Sequence, residues 1–420
     1  MTQPPALDEA LDRRLSSLYR RWHALEKGLG AKGGLVIDFA MDPSPDAGEA
    51  PFSDRLAVLR ALDQLQSDVA ASEHVPNPAW LKARLAGSAA YLRALLGERR
   101  AFADYLSATM GIRPHRVPDD VLRERAARLA QAFADRGIAW GPEGREAFRQ
   151  RFVSTDVPAI CRELRETATL LVERLRSILA DVAEPTYRIE LAREDAYWSN
   201  WIDGNIEDGV TLKVNTHPRI EYRKTSALSL AAHEIAGHAV HVGCMRRTAG
   251  EGGMPKGALN LTVHACDAFQ MEGLAQVILH AFDREGLLPG GALSEDHRLL
   301  EDYRAQSGDA MGNAQLLLED GASLEEVWAE AKRWCPMTSQ MALARGLRDR
   351  GTSPLYRSYI HVYAPSRRLM LQAVALPEAR RRAVLGLAYR ELWTPGQLAA
   401  LIAGGDAETV RQQDPPPPEV

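Results

Sequence analysis

Apolar positions recur at helical spacing through the first two-fifths of the chain, which predicts helices over residues 8–31, 54–73, 78–109, 118–137 and 143–182. In the longest, Ile160, Leu164, Leu170, Leu171, Leu175 and Ile178 make one stripe, with Arg and Glu on the other faces. Such stripes read as the core of a bundle. The Pro- and Gly-containing stretch 41–53 is expected to be a loop, and Pro415 to Pro418 to begin a disordered tail over 413–420. No internal repeat is present.

The period changes near residue 186. Tyr187 to Leu191 and Val210 to Val214 alternate apolar and polar as half-exposed strands do, with Gly204 and Gly209 as turns between them. This small sheet is equally readable as a cap on the bundle or as an edge that could hold an extended peptide. A helix then starts after Thr225, an acceptable N-cap, and runs to about Arg247, ahead of Gly250. Asn260 to Val263 lead into a second helix ending near Gly286, and the Gly252 to Gly257 connection could border a cleft. The pattern gives a mainly α-helical α+β chain with a small β-sheet, divided into a helical N-terminal portion (1–183) and a second portion (184–412).

Composition narrows the function classes. With 420 residues, 45% hydrophobic and 25% charged, the chain can bury one large core or two smaller ones. A net charge of −5 lacks the surplus expected of a nucleic-acid binder. Met1 to Glu9 form neither a basic leader nor an apolar h-region, and no later stretch approaches membrane-spanning length, so a cytoplasmic protein with no membrane partner is expected. Nothing in the pattern fixes an oligomeric state. Cys161, Cys244, Cys266 and Cys335 are scattered without a C-x-x-C pair, which argues against a zinc ribbon or a disulfide framework. Cys244 and Cys266 lie on or beside the two later helices and could approach whatever those helices hold.

The chemistry is concentrated in Ala232-His233-Glu234-Ile235-Ala236-Gly237-His238. In the H-E-x-x-H arrangement two imidazoles share a helical face, hold zinc, and leave the glutamate as general base for a water. Here the spacing is one residue longer. An i, i+5 pair diverges by roughly 140° on a regular helix, so a π-bulge is required to bring both rings to one ion, and Gly237 would relieve crowding there. The alternative is two unrelated histidines, yet His233, His238 and His241 fall within nine positions in a chain with 11 histidines. A third ligand is expected from Glu272, the one acid in an apolar stretch from Ala268 to Leu279, where it would be costly to bury unless metal-bound or paired in a salt bridge. One zinc ion per chain follows.

The H-E-x-x-x-H motif with a downstream E-G-L-A, Glu272 to Ala275, resembles the zincin family of the microtubule-associated tyrosine carboxypeptidases and their bacterial Q-E-G-L-A relatives. The resemblance covers roughly residues 185 to 375. It implies a zincin-like metallopeptidase, with His233, His238 and Glu272 as zinc ligands and Glu234 as base. It departs from the family pattern at Gln270-Met271-Glu272, where the glutamine stands one position further from the acid, and at Ala236-Gly237. The H-E-x-x-G-H form also resembles dipeptidyl peptidases, whose paired-acid second motif is missing from this sequence.

A zinc hydrolase needs donors for the charge that develops on the attacked carbonyl, and Tyr359, His361 and Tyr363 are the candidates. On one helix Tyr359 and Tyr363 would share a face and His361 would point elsewhere. A carboxypeptidase also needs a cation for the terminal carboxylate: Arg357 is best placed, with Arg223, Lys224, Arg246, Arg247 and Lys256 as alternatives. The leading expectation is hydrolysis of a peptide or amide substrate from its C-terminus. An aminopeptidase or dipeptidyl peptidase would instead hold an amine on acids such as Asp203, Glu207 and Asp208. A regulatory protein with a structural zinc is the third reading, and it leaves Glu234 without a purpose.

Overall fold

A computed structural model describes residues 9–418 apart from 31–35, 46–47, 73, 155, 180, 196–197, 340–343, 345, 349 and 352. Residues 1–8, on which most of the leader reading rests, lie outside the described residues. The first helices are α1 (Glu9–Gly28), α2 (Arg55–Ala71), α3 (Pro78–Leu95), α4 (Phe102–Met110), α5 (Asp119–Ala134), α6 (Arg145–Phe152) and α7 (Val157–Ile178). Two helices expected as single pieces are broken. Between α3 and α4 the chain turns through Gly97, whose φ of 97° is a left-handed conformation. Before α7, Val153–Ser154 (β2) pairs with Tyr222–Arg223 (β6), and Asp156 restarts the helix by accepting from the Ala159 N–H at 2.9 Å.

The main sheet has the order β3-β5-β4-β1-β7. Its strands are β1 (Phe39–Ala40), β3 (Tyr187–Ala192), β4 (Asn200–Asn205), β5 (Gly209–Asn215) and β7 (Asn260–Leu261). The two strands expected from alternation are β3 and β5, which pair in parallel, with β4 antiparallel to β5. Gly204 is a correction: it lies inside β4, and the turn is made by residues 206–208, with Gly209 opening β5 at a left-handed φ of 73°. Alternation leaves Phe39, Ile202, Val210, Leu212 and Val214 on the face turned to the core.

The later helices are α8 (Ser226–Leu230), a π-helical segment (Ala231–Ala239) and α9 (Val240–Gly250), which run on as one rod, then α10 (Asp267–Arg284), α11 (Glu295–Glu319) and α12 (Leu324–Trp334). They are followed by α13 (Pro354–Tyr359), a 3-10 turn (Ile360–Val362), α14 (Tyr363–Ala375), α15 (Glu378–Arg390), α16 (Pro395–Ile402) and α17 (Ala407–Arg411). The chain is thus mainly helical α+β. One hydrophobic cluster takes side chains from α1 to α4, α7, the sheet and the helices from α8 to α10. A fully buried ion pair, Arg84 to Asp267 at 3.0 Å, fastens α3 to the start of α10, and the Trp80 indole donates to the same carboxylate. At the C-terminus the Gln413 carbonyl accepts from Gln397 at 3.2 Å, so this part of the expected tail lies against α16.

Candidate metal centre

The expected departure from α-helical winding is present and extends over nine residues, Ala231–Ala239. The Val240 N–H bonds to the carbonyl of Ile235, five residues back. The wider turn brings His233 and His238 together, their ring centroids 4.9 Å apart. The Ala236 carbonyl within the segment accepts the Tyr389 hydroxyl at 2.8 Å. Gly237 relieves crowding inside the segment, where a Cβ would stand 3.3 Å from the Ala232 carbonyl, and it also lets α10 approach, since that Cβ would stand 2.7 Å from the Ala275 Cα.

That close approach accounts for the E-G-L-A motif residue by residue. Ala275 packs on Gly237, and a Cβ at Gly273 would meet Ser366 and Met370 at 3.0 Å, so Gly273 admits α14 on the other side. Leu274 is core. Gln276 donates to the Tyr363 carbonyl at 2.9 Å, fixing the first turn of α14 against α10. Gln270, the displaced glutamine, is structural: it donates to the carbonyls of Ala388 and Glu391 and accepts from the Trp393 N–H at 2.7 Å.

Glu272 therefore faces the two histidines. His233, His238 and Glu272 each offer a ligand atom, all within 4.8 Å of one another. The Glu272 Oε2 lies 3.5 Å from His233 Nε2 and 3.9 Å from His238 Nε2. Zinc bonds of about 2.0–2.2 Å in a tetrahedron separate ligand atoms by about 3.3–3.6 Å; the His233 to Glu272 spacing meets that range, and the 3.9 Å to His238 exceeds it by a few tenths of an ångström. Oε2 is buried and accepts no hydrogen bond, whereas Oε1 accepts from the Tyr359 hydroxyl at 2.7 Å. One carboxylate oxygen is thus pinned and the other is aimed at the imidazoles, as a ligand with an outer-shell partner should be. Burial holds the His238 ring down to about 4, leaving it neutral with a lone pair to give. Burial works against the Glu272 charge, yet His233, His238 and Tyr359 hold its pKa down to about 2.

Glu234 sits beside this group without belonging to it. Its Oε1 accepts from the Asn200 amide at 2.8 Å, and burial followed by the charge of Glu272 pushes its carboxyl up. Asn200 opens β4, the strand that sequence alternation passed over. Tyr359 and Tyr363 share a face with hydroxyls 2.8 Å apart, while His361 turns away to Gln315 and the Phe102 ring. His241 is fully buried against Tyr389 and outside the ligand group. Cys244 is also outside it, accepting from the Ala183 N–H.

The expected clamp does not stand free. Arg357 is buried, with its fork on both Glu319 oxygens at 2.7 Å and its plane over Phe102 and Tyr105. Arg223 lies in the two-stranded ribbon, over the Phe148 ring, and Lys224 follows it, donating its backbone N–H to the Phe152 carbonyl. Arg357→Ala would strip the buried Glu319 carboxylate of its two-pronged partner and leave it, among the described residues, an ion pair with Arg99 at 3.7 Å. A stability loss of about 3 kcal/mol is expected, with metal content unchanged. Denaturant titration and zinc analysis of the variant check this, and normal stability would contradict the assignment.

No family model and no curated protein matches this sequence. Among solved structures the chain is similar to a protein of Colwellia psychrerythraea named as a candidate lipoprotein, with TM-score 0.52 and 14% identity over 96% of this chain and 76% of that one. It is also similar, weakly, to metallocarboxypeptidase 1 of Trypanosoma cruzi, with TM-score 0.37 and 10% identity over 96% of this chain and 97% of that one. The first is a likeness of fold, and the second carries no argument about this chain. Among the described residues no helix is long and apolar enough to cross a membrane.

Proposed function

We propose that this chain is a zinc-dependent hydrolase of peptide or amide bonds. The observation that carries the reading is the convergence of His233, His238 and the unpartnered Glu272 oxygen beside a separate, oriented carboxylate, Glu234. A structural zinc takes four protein ligands, whereas three ligands beside a separate carboxylate leave the fourth position to a water and give that carboxylate a proton to take. When bound, zinc supplies Lewis acidity toward a water and toward the scissile carbonyl. Glu234, oriented by Asn200, takes the water's proton and passes it to the leaving nitrogen. Tyr359 is engaged with Glu272, so we assign the developing oxyanion to the Tyr363 hydroxyl, which burial keeps protonated by raising its pKa.

A carboxypeptidase direction follows from the motif resemblance, since Arg357 is occupied. Zinc-loaded protein incubated with short peptides is expected to give products that vanish with chelator and return with zinc. Amidating the C-terminus is expected to slow them about tenfold or more, and N-acetylation to matter little. Absence of products from the zinc-loaded protein overturns the hydrolase, while sensitivity to acetylation alone overturns the direction.

A further inference from the structure

Helices α10 and α14 lie side by side, joined by a ladder of side-chain contacts that starts at the metal centre. On α10, Glu272, Gln276 and His280 stand four residues apart and share a face, and Tyr359, Tyr363 and Arg367 repeat at the same spacing from the end of α13 into α14. The rungs are Tyr359 to Glu272 at 2.7 Å, Gln276 to the Tyr363 carbonyl at 2.9 Å and Arg367 to the His280 ring at 3.3 Å. Arg367 is therefore the third rung, one turn of α14 beyond Tyr363. Helix α11 runs past the same place. His297 meets the hydroxyl of Ser229, one turn before His233, at 3.0 Å, and a Cβ at Gly308 would stand 3.8 Å from Ala364, next to Tyr363. Its residues 297–308, Glu301 and Arg304 among them, thus pass beside the metal centre.

The charges gathered here do not cancel. Glu301 pairs with Arg304 at 3.3 Å, Asp309 is shared by Arg125 at 2.7 Å and Arg368 at 2.5 Å, and Asp302 is exposed to solvent. Arg367 is half-buried, and among the described residues no carboxylate lies within ion-pairing distance of it. The His280 ring is the one hydrogen-bond partner of its guanidinium among those residues, and its buried Nε donates to nothing. Burial works against the Arg367 charge, and the acids that favour it, Glu301 foremost, act from further off than an ion pair. A buried donor without an acceptor calls for a partner, and a guanidinium fork fits the two oxygens of a carboxylate. Where Arg357 is closed by Glu319, Arg367 is the arginine left open.

We infer that Arg367 receives a carboxylate of the substrate whose scissile carbonyl lies at the metal centre. The inference rests on the hydrolase reading for the word substrate, but binding tests it without turnover. The carboxylate has two sources, the C-terminus of the peptide or a Glu or Asp side chain near the cut. The spans agree. A terminal carboxylate lies one residue, about 3.3–3.6 Å, past the scissile carbonyl, and its hydrogen bond to a guanidinium adds about 2.8 Å. Tyr363, to which the oxyanion is assigned, and Arg367 project from the same face of α14 with a rise of about 6 Å between them.

The test uses the full zinc-loaded chain carrying Glu234→Gln, so that peptides are not consumed, titrated calorimetrically with N-acetylated alanine pentapeptides. Each has a free or amidated C-terminus and Glu or Gln at the penultimate position. At least one acid-bearing peptide is expected to bind about tenfold or more tightly than its neutral counterpart. Arg367→Gln on the same background should reduce that affinity to the neutral value and leave neutral peptides unchanged. Arg367→Lys, which keeps the charge without the fork, should bind the acid with intermediate affinity, and melting curves with zinc analysis establish that both variants fold and load. A difference between free and amidated termini assigns the carboxylate to the C-terminus, and a difference between Glu and Gln assigns it to a side chain. Equal binding of acidic and neutral peptides, no binding at all, or a preference unchanged by Arg367→Gln or Arg367→Lys overturns the inference. If the preference is found but wild type hydrolyses nothing, the hydrolase reading fails and the Arg367 site stands. Chelator-sensitive hydrolysis without any preference leaves the hydrolase and removes the site.

Discussion

Zinc is expected to be lost from His238→Ala and from Glu272→Ala, with stoichiometric zinc in the unmodified chain. The two substitutions remove one ligand each from a group of three, and those three atoms are contributed by only two helical elements. The remaining pair would have to complete the coordination shell with water in a buried site. Tyr359→Phe should be milder, because the Glu272 carboxylate keeps its charge and loses only the hydroxyl that pins Oε1. A loss of about 10–100-fold in zinc affinity is typical of an outer-shell partner. Competition with a chromophoric chelator ranks the variants, and elemental analysis gives the stoichiometry. Full zinc in His238→Ala would remove this ligand set. His241, three residues on, offers no ready substitute: it is fully buried against the Tyr389 ring and lies outside the ligand group.

What the sequence made legible was local. The i, i+5 histidines demanded a π-type turn, because the requirement follows from helical geometry alone, and the segment Ala231–Ala239 supplies it. Glu272 stood out as one acid in an apolar run, and it does face the histidines. Groups that reach the site from elsewhere left no such trace. Asn200 begins a strand whose Gly204 reads as a turn, and nothing in the spacing of Arg367 sets it against His280 on another helix. Arg357 misled for the same reason. Its partner, Glu319, lies 38 residues away on α11, and no periodicity announces a buried ion pair between separate helices. The breaks at Gly97 and Asp156 were hidden because apolar spacing continues across them.

Glu234→Gln is expected to keep zinc and lose hydrolysis by about two orders of magnitude or more, the share usual for a positioned general base. The substitution is nearly isosteric and the residue lies outside the ligand group, so the metal should bind as before. Asn200 donates its amide to Glu234 Oε1, and a glutamine can present its own carbonyl to that donor. What is lost is the ability to take a proton. Asn200→Ala separates orientation from basicity, since the carboxylate remains but its Oε1 loses the 2.8 Å hydrogen bond. A smaller fall, in kcat more than in KM, is expected from it. Measuring zinc content alongside turnover for both variants distinguishes the cases. Near-native turnover in zinc-replete Glu234→Gln would show that another group moves the proton, and loss of zinc together with activity would place Glu234 among the ligands.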